Sequence, residues 1–203
     1  MIKEVDPVED GEIVSLGDFV KVKVYDAGEQ HVGHIQDLAL EGDLSSPYVA
    51  YVGVHALWAD RVGGIELVRP VEDIVLLIPW SEVQSFDEDA FRLKGVHPEL
   101  PVETASGKVL LRADLLNKQM LDSRGNRIQR VDDVCMEREG QRLKVLGLEV
   151  SRGLLSSSTL RHFVDELRKK CGYSGEVEMI PLEAVQRVEE EAVIVGEVFR
   201  VED

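Results

Sequence analysis

The chain is poor in cysteine, in cationic residues and in long apolar runs, and each shortage excludes a class of protein. Its two cysteines, Cys135 and Cys171, are too few for a disulfide framework and lack metal-ligand spacing. Cys135 falls in an alternating segment and Cys171 at the end of a helical pattern, so both read as small buried apolar residues. The longest apolar run, Ile74 to Trp80, is far below the roughly 20 residues a membrane-spanning helix requires. Met1 to Asp6 has neither the basic start nor the apolar stretch of a signal peptide, so a cytoplasmic protein without membrane insertion is expected. Lys and Arg number 23 against 39 Asp and Glu, for a net charge of -16. That field repels phosphate backbones, whose capture depends on cationic side chains displacing counterions, so nucleic acid is not expected as a partner. Solubility is the plain reading of the acidity, and a basic partner is the alternative.

Catalytic signatures are missing too. No serine sits in a nucleophile elbow, no Cys-His pairing stands out, and Gly63-Gly64 lacks the strand, helix and lysine context of a phosphate loop. Ser156 to Thr159 reads as loop and helix cap. No catalytic residue, cofactor or metal ligand is assigned, and an enzyme is not expected.

What is present is a repeat: Asp18 to Glu41 aligns without a gap with Asp114 to Glu137. Tyr25-Asp26-Ala27-Gly28 answers Leu121-Asp122-Ser123-Arg124-Gly125, with the glycine slipped by one position. Farther on, Ile78-Pro79-Trp80-Ser81-Glu82-Val83-Gln84 answers Ile180-Pro181-Leu182-Glu183-Ala184-Val185-Gln186. Matched blocks in the same order indicate duplication. Two domains of roughly 100 residues are therefore expected, the first over 13–96, the second over 109–201, with a Pro- and Gly-bearing linker at 97–108.

Val20 to Val24 alternates strictly, as a half-buried strand does. A turn at Asp26 to Gly28 leads into a strand from His31 to Leu40, where Val32, Leu38 and Leu40 share a parity that Ile35 breaks. Ile128, Val131, Val134 and Met136 repeat the same defect, which implies a bulge or bend. Strands follow at Tyr48 to Val54 and at Leu143 to Val150. Each copy then carries a divergent insert, with a strand-like Ile65 to Val68 in the first. In the second, Leu160, Phe163, Val164, Leu167 and Cys171 recur at helical spacing. Each copy returns through an Ile-Pro turn to a last strand ending near Leu93 or Val195.

Three groups of residues invite a chemical reading. His31 and His34 form an H-x-x-H, yet on a regular strand an odd separation turns the rings to opposite faces, and a shared metal would need a helix or a bulge between them. Asp26 with Asp122, and Asp37 with Asp133, are repeated aspartates; turn chemistry is preferred to ion ligation for them. Leu57 and Trp58, in the first insert, are candidate anchors for a protein partner, the alternative being that they plug one end of the fold. Trp80 is assigned to packing.

The stretch Leu121 to Val134, its partner Tyr25 to Leu38, and the closing Ile78 to Val83 together resemble the PRC-barrel family, known from the photosynthetic reaction-centre H subunit and from a ribosome maturation factor. The likeness spans about Ser15 to Val198. It implies a mainly β chain of two small PRC-type β-barrels in tandem, with one inserted α-helix in the second. A tandem of this kind also resembles a region found in some magnesium-transporter proteins. The resemblance thus implies a non-catalytic interaction or regulatory protein with a protein partner. A divalent-ion or small-ligand sensor linked to magnesium transport and a ribosome-assembly factor binding a basic ribosomal protein are the alternatives. A homodimer through an exposed barrel edge is a further expectation.

Overall fold

The computed structural model describes residues 11–42, 44, 46–56, 75–87, 89–97, 99–151 and 177–196. Over these residues the protein is mainly β. No helix among them is long and apolar enough to cross a membrane. Leu57 and Trp58, the Gly63-Gly64 pair, the strand expected at 65–68 and the helix expected over 160–171 lie outside the described residues.

The described chain opens on β1 (Ile13–Ser15) and one helical turn, α1 (Leu16–Phe19). It continues through β2 (Lys23–Tyr25), β3 (His31–Glu41), β4 (Tyr51–Ala56), β5 (Val75–Pro79), β6 (Val83–Phe86) and β7 (Ala90–Leu93). The second half begins with β8 (Lys108–Leu110) and a π-helical turn at Leu111–Leu115. It then runs through β9 (Gln119–Leu121), β10 (Arg127–Arg130), β11 (Asp133–Glu139), β12 (Arg142–Ser151), β13 (Val177–Pro181), β14 (Val185–Val188) and β15 (Ala192–Val195). Strand answers strand across the halves, with β3 represented by β10 and β11 together. The parallel pairs match in register: Lys23 faces Ala90 and Val24 faces Phe91, as Gln119 faces Ala192 and Met120 faces Val193. Both Ile-Pro segments end a strand and turn once as a 3-10 helix, at Trp80–Glu82 and Leu182–Ala184. Proline supplies no donor to extend the ladder there.

Backbone devices repeat as faithfully as the strands. Lys21 and Asn117, at matching positions, both take positive φ (77° and 62°). Each donates its amide to the parity-breaking residue, Lys21 N to Ile35 O at 2.8 Å and Asn117 N to Val131 O at 2.8 Å. The expected bulges are present: β2 slips against β3 between Val24 and Tyr25, and β3 slips against β4 between Ile35 and Asp37. These two slips bracket Ile35, so Val32, Ile35, Leu38 and Leu40 all reach the core despite the change of parity. The glycine slip at the hairpin is only apparent. The left-handed residue is Glu29 in one half (φ 59°) and Gly125 in the other (φ 83°), at equivalent places in the turn.

The halves exchange their leading segments. β1 of the first half pairs with β11 of the second (Val14 opposite Met136), and β8 of the second pairs with β3 of the first (Leu40 opposite Val109). Three-residue strands without a longer alternating run around them carry too little periodicity to be read from sequence. α1 then packs on β11 and the π-helical turn on β3. The 97–108 segment, expected as a linker, is packed: Leu100 is buried, and Glu103 exchanges backbone hydrogen bonds with Leu77. The ladders form three sheets, β5-β4-β3-β2-β7-β6 with β8 beside β3, β1-β11-β12-β13, and β10-β9-β15-β14. One buried apolar cluster spans both halves, including Leu16, Phe91, Leu111, Met136 and Val193.

Candidate functional site

Two places concentrate polar chemistry: the outward face of β2, β3 and β7, and the joint between the halves. On the first, Tyr25 faces His31 and Lys23 faces His34 across the β2–β3 ladder, and His34 faces His55 on β4. The bulge at Val32-Gly33 puts His31 and His34 on one face, against the sequence expectation of opposite faces. Their rings stack at 5.5 Å between centroids with 5° between planes. Tyr25 packs on His31 at 5.4 Å, and the Arg92 guanidinium lies 5.6 Å from the Tyr25 centroid. Gly33 is required there, because a Cβ would come within 2.4 Å of His55 O. His31 Nε2 and His34 Nδ1 are shielded from solvent and have no hydrogen-bond partner among the described residues. Imidazole lone pairs lie in the ring planes, and two stacked parallel planes do not bring them together on one metal ion as ligation requires. The stack is therefore a packed pair in this geometry. In the second half Arg127 and Arg130 take the equivalent positions, and both are exposed.

The repeated aspartates divide into two roles. Asp26 accepts Gly28 N and Gln30 N at 2.8 and 2.9 Å, and Asp122 accepts Arg124 N and Asn126 N, both at 2.8 Å. These are the turn-closing bonds expected from sequence. Burial works against the charge of Asp26, but the amides of Gln30, His97 and Gly28 outweigh it and lower its pKa. The Asn126 side chain and amide lower that of Asp122.

Asp37 caps the other half instead of its own turn. Its carboxylate accepts Leu38 N at 2.8 Å, and across the joint Arg112 N at 2.7 Å and Ala113 N at 3.0 Å. These are amides freed at the start of the π-helical turn. Burial pushes its pKa up to about 6; the amides of Arg112, Ala113 and Leu38 pull the other way, and the nearby Asp114 adds to the rise. Asp133, its equivalent, accepts Val134 N at 2.7 Å and lies beside Gly17 of α1. Opposite it on β12 stands Glu149, whose pKa is raised by burial and then by Asp133, Asp132 and Asp18. Among the described residues, no group of three or more His, Cys, Asp or Glu converges closely enough to hold a metal ion.

Other contacts tie the joint together. The buried Arg138 of β11 donates to Phe86 O at 2.6 Å with its guanidinium 4.2 Å from the Phe86 centroid. Trp80 Nε1 donates to Gln141 O at 2.8 Å, and its indole packs edge-on against Phe86 and Phe91. The Tyr48 hydroxyl donates to Glu139 at 2.7 Å, under Arg142. Cys135 is buried, and Cys171 lies outside the described residues, as do Leu57 and Trp58. Asp37 was readable as a repeated aspartate, but its partner turn was not.

No protein-family model matches the chain, and no curated protein matches it.

Proposed function

We propose that this chain is a non-catalytic interaction or regulatory protein in which two PRC-type β-barrels are fused into one rigid block that docks a protein partner. The observation that carries the reading is the reciprocal exchange: each half lends its leading strand and helical turn to the other, over one shared core. Such a body resists hinge motion at the joint and holds its outer surfaces in fixed relation, as a docking platform requires. The repeated bulges at His31 to His34 and Arg127 to Arg130 also favour the barrel reading, since bulges curl small sheets. The test is capture from native lysate in low and high salt, followed by titration of the captured protein against the purified chain. A stoichiometric partner that survives high salt supports the proposal. Binding lost with salt, together with saturable magnesium uptake by calorimetry, would replace it with an ion-sensing role.

A further inference from the structure

The buried Asp37 stands where the halves meet. It lies on β3 opposite Gly53 of β4, is 2% exposed, and is bonded to two amides of the other half. The charged groups near it on that side are Asp114, whose own carboxylate accepts Leu110 N at 2.8 Å, and the exposed Arg112. On β4 it faces Gly53, and next to it on the flanking strands Leu77 pairs with Gly53 and Leu110 with Ala39, none of which titrates. We propose that Asp37 is a proton-operated latch between the two halves, making local opening of their joint rarer in mildly acidic surroundings and more frequent toward neutral pH.

An ionised carboxylate here is removed from water and faces the charge of Asp114. A proton removes both penalties at the cost of weaker amide bonds, and burial is the stronger influence. When the joint opens, the carboxyl meets water and recovers its ordinary acidity, so opening releases a proton and is favoured as pH rises. The second joint behaves in the same sense. Glu149 is raised by burial, by Asp133 and Asp132 of its own half and by Asp18 from α1 of the first half. The latch does not depend on which partner the block binds.

Hydrogen exchange on the full chain tests it, following the amides of 111–115 from pH 4 to 7.5 with the chemical pH dependence divided out. Opening of this turn is expected to be roughly 50-fold more frequent at pH 7 than at pH 4, and the profile of Asp37→Asn is expected to be flat. A flat wild-type profile, or one of opposite slope, overturns the latch. If Asp37→Asn does not fold, an NMR titration of the wild-type Asp37 carboxyl carbon decides. A midpoint near 6 supports the proposal and one at or below the ordinary carboxylate range overturns it.

Discussion

Where the first half packs Phe19, Trp80, Phe86 and Phe91 against one another, the second half sets Leu115, Leu182, Val188 and Val193 at the matching ladder positions. The aromatic rings meet at 5.2 to 6.2 Å, mostly edge-on. The same strand order and the same parallel register nevertheless hold in both. Core identity therefore does not set this ladder. The shared devices are backbone ones: a left-handed residue before each parity break, an aspartate closing each hairpin, and a proline ending each return strand. Cores tolerate exchange of shape when volume and pattern are kept, whereas a turn geometry admits few substitutes.

The largest expected effect separates the two fillings. Phe91→Ala should cost about 3–5 kcal/mol and Val193→Ala about 2 kcal/mol, because a ring leaves the larger cavity. Both residues are fully buried in one apolar cluster. Urea unfolding of both variants should show a single shifted transition. A second transition appearing only in Phe91→Ala would mean that the halves have separate cores after all.

Next in size is the pH dependence. The folded state holds the Asp37 proton up to about 6, while the unfolded chain releases it at the ordinary carboxylate pKa. This group's contribution is thus present in acid and is lost as pH rises through that window, by about 3 kcal/mol in all. Asp26 and Asp122, with lowered values, act in the opposite direction and below that window. Comparing Asp37→Asn with wild type cancels their share. If the difference in stability between the two proteins is the same at pH 4 and pH 7, Asp37 is not the source.

A third test uses a glycine that only one half needs. Gly33 is roofed by β4 through its pairing with Ala56, while its counterpart Gln129 sits on β10, which among the described residues pairs with β9 alone. Gly33→Ala should cost about 1–3 kcal/mol through overpacking, and Gln129→Ala, at a half-buried position with no roof, less than about 1 kcal/mol. Equal costs, measured by thermal unfolding, would show that the roof over β3 is not tight.

What could be read from sequence follows from how local each feature is. The Asp26 and Asp122 turns were legible because donor and acceptor lie within four residues. The parity break at Ile35 was legible because Val32, Leu38 and Leu40 frame it. The exchange of β1 and β8 was not, since its partners lie more than 60 residues away and three residues show no period. Asp37 looked like any polar strand residue, because nothing near it announces that the amides of Arg112 and Ala113 will arrive. His31 and His34 were placed on opposite faces because the bulge between them is marked only by Gly33.

The smallest effect reaches furthest into the comparison. Glu29 and Gly125 hold the same left-handed position, one at a steric disadvantage and one without. Glu29→Gly should relieve that disadvantage, but it also loosens the unfolded chain, so the net change is expected within about 0.5 kcal/mol of zero. Gly125→Ala takes on the strain, which outweighs the gain from a less free unfolded chain, and should cost about 1 kcal/mol. A Cβ at Gly125 meets nothing within 4 Å, so no clash adds to that cost. Equilibrium urea denaturation of the two variants resolves differences of this size when slopes are shared. If Gly125→Ala is neutral, the turn after Asp122 tolerates a side chain as well as its counterpart does, and the apparent glycine slip between the halves is drift with no energetic meaning.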